Sequence, residues 1–101
     1  MRITFERLGG FTGLRVRTTI DTHDLSVTEA RLLKRLVSDA AFFEQPTRIT
    51  TRKRQPDRFQ YTVHIEDGAR AHTVVMHEEA LQPPMRKLLS RLTSVARGSK
   101  P

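Results

Sequence analysis

Between Arg58 and His77 the chain reads as two β-forming runs on either side of a tight turn. Phe59, Tyr61, Val63 and Ile65 alternate with Arg58, Gln60, Thr62, His64 and Glu66, the period of a strand with one buried face. Asp67-Gly68 follows at once, and Asp-Gly favours the two positive-φ positions of a type I′ turn. A second run, Ala71 to His77, returns. A two-residue loop at Asp67 and Gly68 would set Phe59 against Met76, Tyr61 against Val74 and Val63 against His72. A three-residue loop would put Val75 opposite Tyr61 instead. An isolated hairpin is only marginally stable in water, so the remaining chain must extend and cover this one.

The flanking segments supply the cover. Arg2 to Leu8 reads as a strand with Ile3 and Phe5 inward, and Leu14, Val16, Thr18 and Ile20 alternate in a second. Gly9-Gly10-Phe11-Thr12-Gly13 joins them as a hairpin loop, with Phe11 either folded onto the core or displayed. Ser26-Val27-Thr28-Glu29 has the form of a capping box. The Ser26 hydroxyl accepts from the Glu29 amide, and the Glu29 carboxylate answers to the Ser26 amide. Leu33, Leu36, Val37 and Ala40, with Leu32 and Phe43 beside them, make one apolar helical stripe ending near Phe43. Pro46 stops further extension.

Residues 44–57 form the longest connection, carrying two prolines and the run Arg52-Lys53-Arg54, with a short edge strand at Ile49 as an option. After the central hairpin, Pro83-Pro84 opens a second helix with Met85, Leu88, Leu89 and Leu92 on one side. The expected fold is α+β in the order ββαββα: a four-stranded antiparallel sheet with both helices on one face. It forms one domain over 1–96, with 97–101 as a fraying tail.

Composition bounds the function. A chain of 101 residues without cysteine has no disulfide framework and no thiolate metal site. No apolar stretch has the length of a membrane span or a signal peptide, which leads us to expect a cytoplasmic protein. Eighteen Lys and Arg against eleven Asp and Glu leave +7, a field that attracts nucleic acid, an anionic surface or an acidic protein without selecting among them. His77-Glu78-Glu79-Ala80-Leu81 begins like a zinc-protease helix motif but has leucine where the second histidine belongs. His64, His72 and His77 could share a sheet neighbourhood but read as plain surface residues rather than ligands, with His72, facing Val63 in the two-residue register, a partly buried spacer. No nucleophile elbow or phosphate loop occurs, and no paired carboxylates stand out, so no catalytic activity and no cofactor are expected. Phe59 and Tyr61 are needed as core and are poor base-stacking candidates. Arg52-Lys53-Arg54 could contact phosphates, although a solvated loop is the better explanation.

Functional residues are then sought on loops. Antiparallel strands and a returning helix would bring the end of 44–57 beside Gly9 to Gly13, setting Phe11 and Leu14 near Thr50, Thr51 and Asp57. An aromatic anchor beside a carboxylate suits a protease cleft, though Asp57 after Pro56 is also an ordinary turn residue.

Arg2-Ile3-Thr4-Phe5-Glu6-Arg7, Gly9-Gly10-Phe11-Thr12-Gly13 and Ala41-Phe42-Phe43 resemble the emfourin family, as do Asp57-Arg58-Phe59-Gln60-Tyr61 and Glu66-Asp67-Gly68. That family consists of bacterial protein inhibitors of protealysin, a thermolysin-like zinc metallopeptidase. The resemblance implies a non-enzymatic, monomeric inhibitor whose partner holds the zinc. It implies Gly9, Gly10, Phe11, Thr12, Gly13 and Leu14 as an apolar protease-binding loop and a carboxylate on a neighbouring loop that approaches that zinc, for which the expected loop geometry makes Asp57, beside Thr50 and Thr51, the first choice. Asp21, Asp24 and Asp67 are the reserves for the carboxylate. The alternative is a small basic module that binds nucleic acid or another anionic partner.

Overall fold

A computed structural model describes residues 1–9, 15–50 and 59–98, the side chains as far as residue 96. Among the described residues seven helices and strands follow one another: β1 (Arg2–Gly9), β2 (Arg15–Asp21), α1 (Val27–Asp39), β3 (Arg48–Ile49), β4 (Phe59–Asp67), β5 (Arg70–His77) and α2 (Pro83–Gly98). The sheet has five strands rather than four, in the order β2-β1-β4-β5-β3. The addition is β3, two residues that lie parallel to β5 with Arg48 opposite Val75 and Ile49 opposite Met76. So short a strand has too few residues to show a period. The other pairings are antiparallel, as expected. α2 runs to Gly98.

Alternation decides which face is buried. Ile3 and Phe5 of β1, Val63 and Ile65 of β4, and Val74 and Met76 of β5 are each 1% exposed or less. Leu33 and Val37 of α1 and Leu88, Leu89 and Leu92 of α2 close over them in one core. Burying a side chain of this size contributes about 1.5–3 kcal/mol, so two leucine-bearing helices on one sheet face account for most of the drive to fold. β2 departs from its alternation. Ile20 is buried, but Val16 is 37% exposed, because β2 is an edge strand and the core fades along it.

The hairpin register is two residues away from the expected one. Asp67 pairs with Arg70, so the loop is Gly68-Ala69, and Tyr61 faces Met76, Val63 faces Val74 and Ile65 faces His72. Gly68 sits at φ +63° whereas Ala69 has no positive φ. Only the first loop position is left-handed, the II′ pattern, which places glycine first rather than second. A slip of two preserves which side chains point inward, so the core assignment is unaffected.

α1 also stops short of Phe43. Its last residue is Asp39, and Ala41 turns left-handed at φ +47° before a 3-10 turn over Phe42–Glu44. That reversal buries Phe42 completely and leaves Phe43 half-buried, the opposite of the stripe read along an unbroken helix. At the start of α1 the Ser26 hydroxyl accepts from the Glu29 N–H at 3.1 Å. The Glu29 carboxylate turns instead to Arg91 of α2, which donates through Nε at 2.8 Å and through Nη2. Half of the capping box is exchanged for a clamp between the two helices.

Candidate functional site

Strand direction gathers four chain ends at one end of the sheet. β1 ends and β2 begins there, with Leu8 opposite both Arg15 and Gln60. Gly9 is the partner of Phe59, where β4 begins. β5 finishes at the same level, with Gln60 opposite His77. The parallel β3 also points this way, so Thr50 follows Ile49 at that end. The chain therefore leaves the described structure at Gly9 and Thr50, and returns at Arg15 and Phe59, along a single rim. Gly9 adopts φ +111°, a conformation open to glycine and strained for other residues.

Of the expected site residues, Gly9 and Thr50 are described and both lie on this rim. Gly10, Phe11, Thr12, Gly13, Leu14, Thr51 and Asp57 lie outside the described residues, as does the Arg52-Lys53-Arg54 run. The reserve carboxylates belong elsewhere. Arg2 pairs with both Asp21 and Glu66, so Asp21, the Asp24 that follows it and Asp67 stand at the opposite end. A strand of this length separates the two ends by roughly 20 Å. Asp21 is also engaged, accepting from the His23 N–H at 3.0 Å with the His23 ring Nδ1 at 2.9 Å. Those bonds hold its carboxyl below the usual range, the backbone bond contributing most. Asp67 has Arg70 at 3.3 Å.

The helix-side surface just below the rim is polar. Arg7 follows Ile3 and Phe5 on the inward face of β1, and its guanidinium carbon lies 4.5 Å from the centre of the Phe59 ring. The Phe59 N–H donates to Glu78 Oε1 at 3.1 Å. Tyr61 stacks on Phe5 at 5.9 Å and tilts toward Phe59 at 6.2 Å. Burial, and then the nearby Glu78 carboxylate, push the Tyr61 phenol above its ordinary value, against the opposing pull of Arg7. The re-entry of β4 is thus held by a backbone-to-carboxylate bond and an aromatic ring under a cation. The signal for Arg7 was present in the sequence, since the i, i+2 spacing from Ile3 and Phe5 places it on their face.

The histidines are structural. His72 lies on the inward face opposite Ile65, with Nε2 donating to the Gln45 carbonyl at 2.7 Å and its ring edge-on to Phe42. His64 is on the outer face, its Nδ1 2.6 Å from the Thr73 hydroxyl. His77, expected at the surface, is buried at 7% exposure. Among the described residues no group of three His, Cys, Asp or Glu could hold a metal ion. No helix among them is long and apolar enough to cross a membrane.

A family model for Emfourin matches residues 5–93. The chain belongs to the Emfourin family. No curated protein and no solved structure matches it. The span shared with the Emfourin family opens at Phe5, runs through the whole rim and closes at Thr93 in α2. Membership is consistent with a protease-inhibitor role, which suggests a protease as partner and fits a protein that is not an enzyme.

Proposed function

We propose that this protein inhibits thermolysin-like zinc metallopeptidases by inserting two neighbouring loops into the active-site cleft. The observation that supports the reading is the pairing of Gly9 with Phe59, since the connections 10–14 and 51–58 are tethered to adjacent strands at one end of a rigid sheet. The first loop, Gly9 to Leu14, brings Phe11 as an apolar group for a substrate subsite. The second, from Thr50 and Thr51 to Asp57, brings a carboxylate to the open coordination position that a catalytic zinc keeps for water or substrate. Anchoring both loops at one end of the sheet reduces the ordering that binding must supply, which favours tight association. The charge of +7 speeds encounter with an acidic enzyme.

The test is a titration of the pure protein into a thermolysin-like peptidase while cleavage of a short peptide is followed. Activity is expected to fall to near zero at close to one equivalent. Full activity at excess protein in several such enzymes would overturn the reading. Salt-sensitive binding to mixed-sequence DNA would then favour the basic-module alternative.

A further inference from the structure

The core of this protein does not fade evenly into solvent at the rim; it changes character on both walls at one level. On the sheet wall the inward positions run Ile3, Phe5 and then Arg7, with the Tyr61 hydroxyl beside it. On the helix wall Leu89 gives way to Ser90, Thr93 and Ser94. Between them opens a cleft of about 460 Å³, and Arg86 reaches it from the first half of α2. Arg86 Nε donates to the Leu81 carbonyl at 3.0 Å, which restrains the guanidinium where Arg86 lines the cleft and leaves its terminal N–H groups uncommitted by that bond. Arg7 is held on the Phe59 ring at 4.5 Å. Among the described lining residues the one carboxylate is Glu78, whose Oε1 accepts from the Phe59 N–H. Two restrained guanidiniums against one engaged carboxylate make the described lining of the cleft net positive.

An inward strand position is costly for a cation, and a chain that needed only to close its core would place an apolar residue at 7. We propose that Arg7 and Arg86, with the hydroxyls of Tyr61 and Ser90, form a carboxylate-binding site. Planar guanidiniums match a carboxylate through paired N–H donors, and hydroxyls complete its remaining lone pairs. The carboxylate could belong to a small free acid or to an acidic side chain of a protein partner. The site stands on its own geometry; only its use against a bound peptidase rests on the inhibitor reading, since the cleft adjoins the rim.

The sole tyrosine makes the test direct. Ring resonances of Tyr61 are followed by NMR as succinate replaces chloride at constant ionic strength. Saturable shifts in the millimolar range are expected, and Arg7→Met or Arg86→Gln should weaken them roughly tenfold or more, the worth of a charge-assisted bond. Near-UV circular dichroism and melting of each variant check that it folds, and Met keeps the stem that covers Phe59. Absence of saturable shifts in the wild type, or equal shifts in both folded variants, overturns the site. The capped peptide Ac-Ala-Asp-Ala-NH2 separates the sources: binding like succinate assigns a protein side chain, and silence assigns a free acid. Peptidase inhibition measured with and without saturating succinate is read separately, so a wild type that binds succinate but inhibits nothing refutes the inhibitor reading and leaves the site intact.

Discussion

The Glu29 carboxylate of α1 accepts two N–H groups from the Arg91 guanidinium of α2, one of them at 2.8 Å. This is the polar fastening between two helices otherwise joined by leucines. The Arg91 bonds hold the Glu29 carboxyl below its ordinary value of 4.5, outweighing the opposing effect of burial. A carboxylate depressed in the folded state contributes stability that is present above its unfolded pKa and is lost as pH falls through the folded one. Glu29 therefore stabilises the fold at neutral pH, and that share declines as pH falls below the ordinary value and is gone once pH passes the depressed folded one. Glu29→Gln should lower the melting temperature at pH 7, and the loss should shrink steadily as the pH of the measurement is lowered into the acid range. An equal loss throughout would show that Glu29 acts through packing instead.

Ala41 holds a left-handed conformation, φ +47°, at the position after the α1 cap. For a residue with a Cβ this costs about 1–2 kcal/mol, whereas glycine occupies it freely. Glycine also adds unfolded-state entropy worth about 0.4–1 kcal/mol. The difference predicts that Ala41→Gly stabilises the protein by roughly 0.5–1 kcal/mol in urea unfolding. Gly68 is the mirror case. At φ +63°, with no atom within 4 Å of an added Cβ, Gly68→Ala meets only backbone strain and should destabilise by about 1 kcal/mol. Asn at that position should cost less. Destabilisation by Ala41→Gly would mean that the half-buried methyl contributes more by packing than its backbone strain removes.

Tyr61 is buried at 9% exposure beside Glu78, so its phenol is expected to ionise above its ordinary value of 10.0. Folded protein that retains the neutral phenol is most secure below that value and loses this share of stability as pH rises through the shifted one. Ultraviolet titration of the single tyrosine reads the shift directly. Because burial is the larger cause, Glu78→Gln should move the titration only part of the way back. A complete return to the unfolded value would assign the shift to charge alone.

Periodic burial was legible in the sequence wherever an element was long enough to show a period. Ile3, Phe5, Val63, Ile65 and the leucines of α2 are buried as their spacing implies. What escaped depends on single backbone angles or distant partners. Asp67-Gly68 looked like the turn itself, yet the strand continues through Asp67 and the glycine opens the loop. The left-handed Ala41 ended α1 early because nothing in Ala-Ala-Phe-Phe announces a helix stop. Glu29 satisfied the local capping pattern, but a partner 62 residues away competes better than a neighbouring amide. Of the candidate site, the sequence led us to expect two connections at one end of the sheet; their described flanks Gly9, Arg15, Thr50 and Phe59 lie on one rim, while the connections themselves lie outside the described residues. The sequence did not show Arg7 and Glu78 bracing Phe59 below that rim, because those contacts join three separate elements.

The loop reading makes a demand that stability data alone cannot meet. If Phe11 is an anchor in the peptidase cleft, Phe11→Ala should weaken inhibition by about 2 kcal/mol or more, the level of an interface hot spot. If the Asp57 carboxylate meets the zinc, Asp57→Asn should weaken inhibition while unfolding by urea is unchanged. Gly9→Ala supplies the control for loop placement. Its φ of +111° excludes an easy fit for alanine, so both the exit of β1 and inhibition should suffer even though no contact side chain is removed. Inhibition constants and urea midpoints measured on all three decide the matter. Weakened inhibition by Phe11→Ala and Asp57→Asn at constant midpoint supports two inserted loops. Constant inhibition with a lowered midpoint would return Phe11 to the core and Asp57 to a turn.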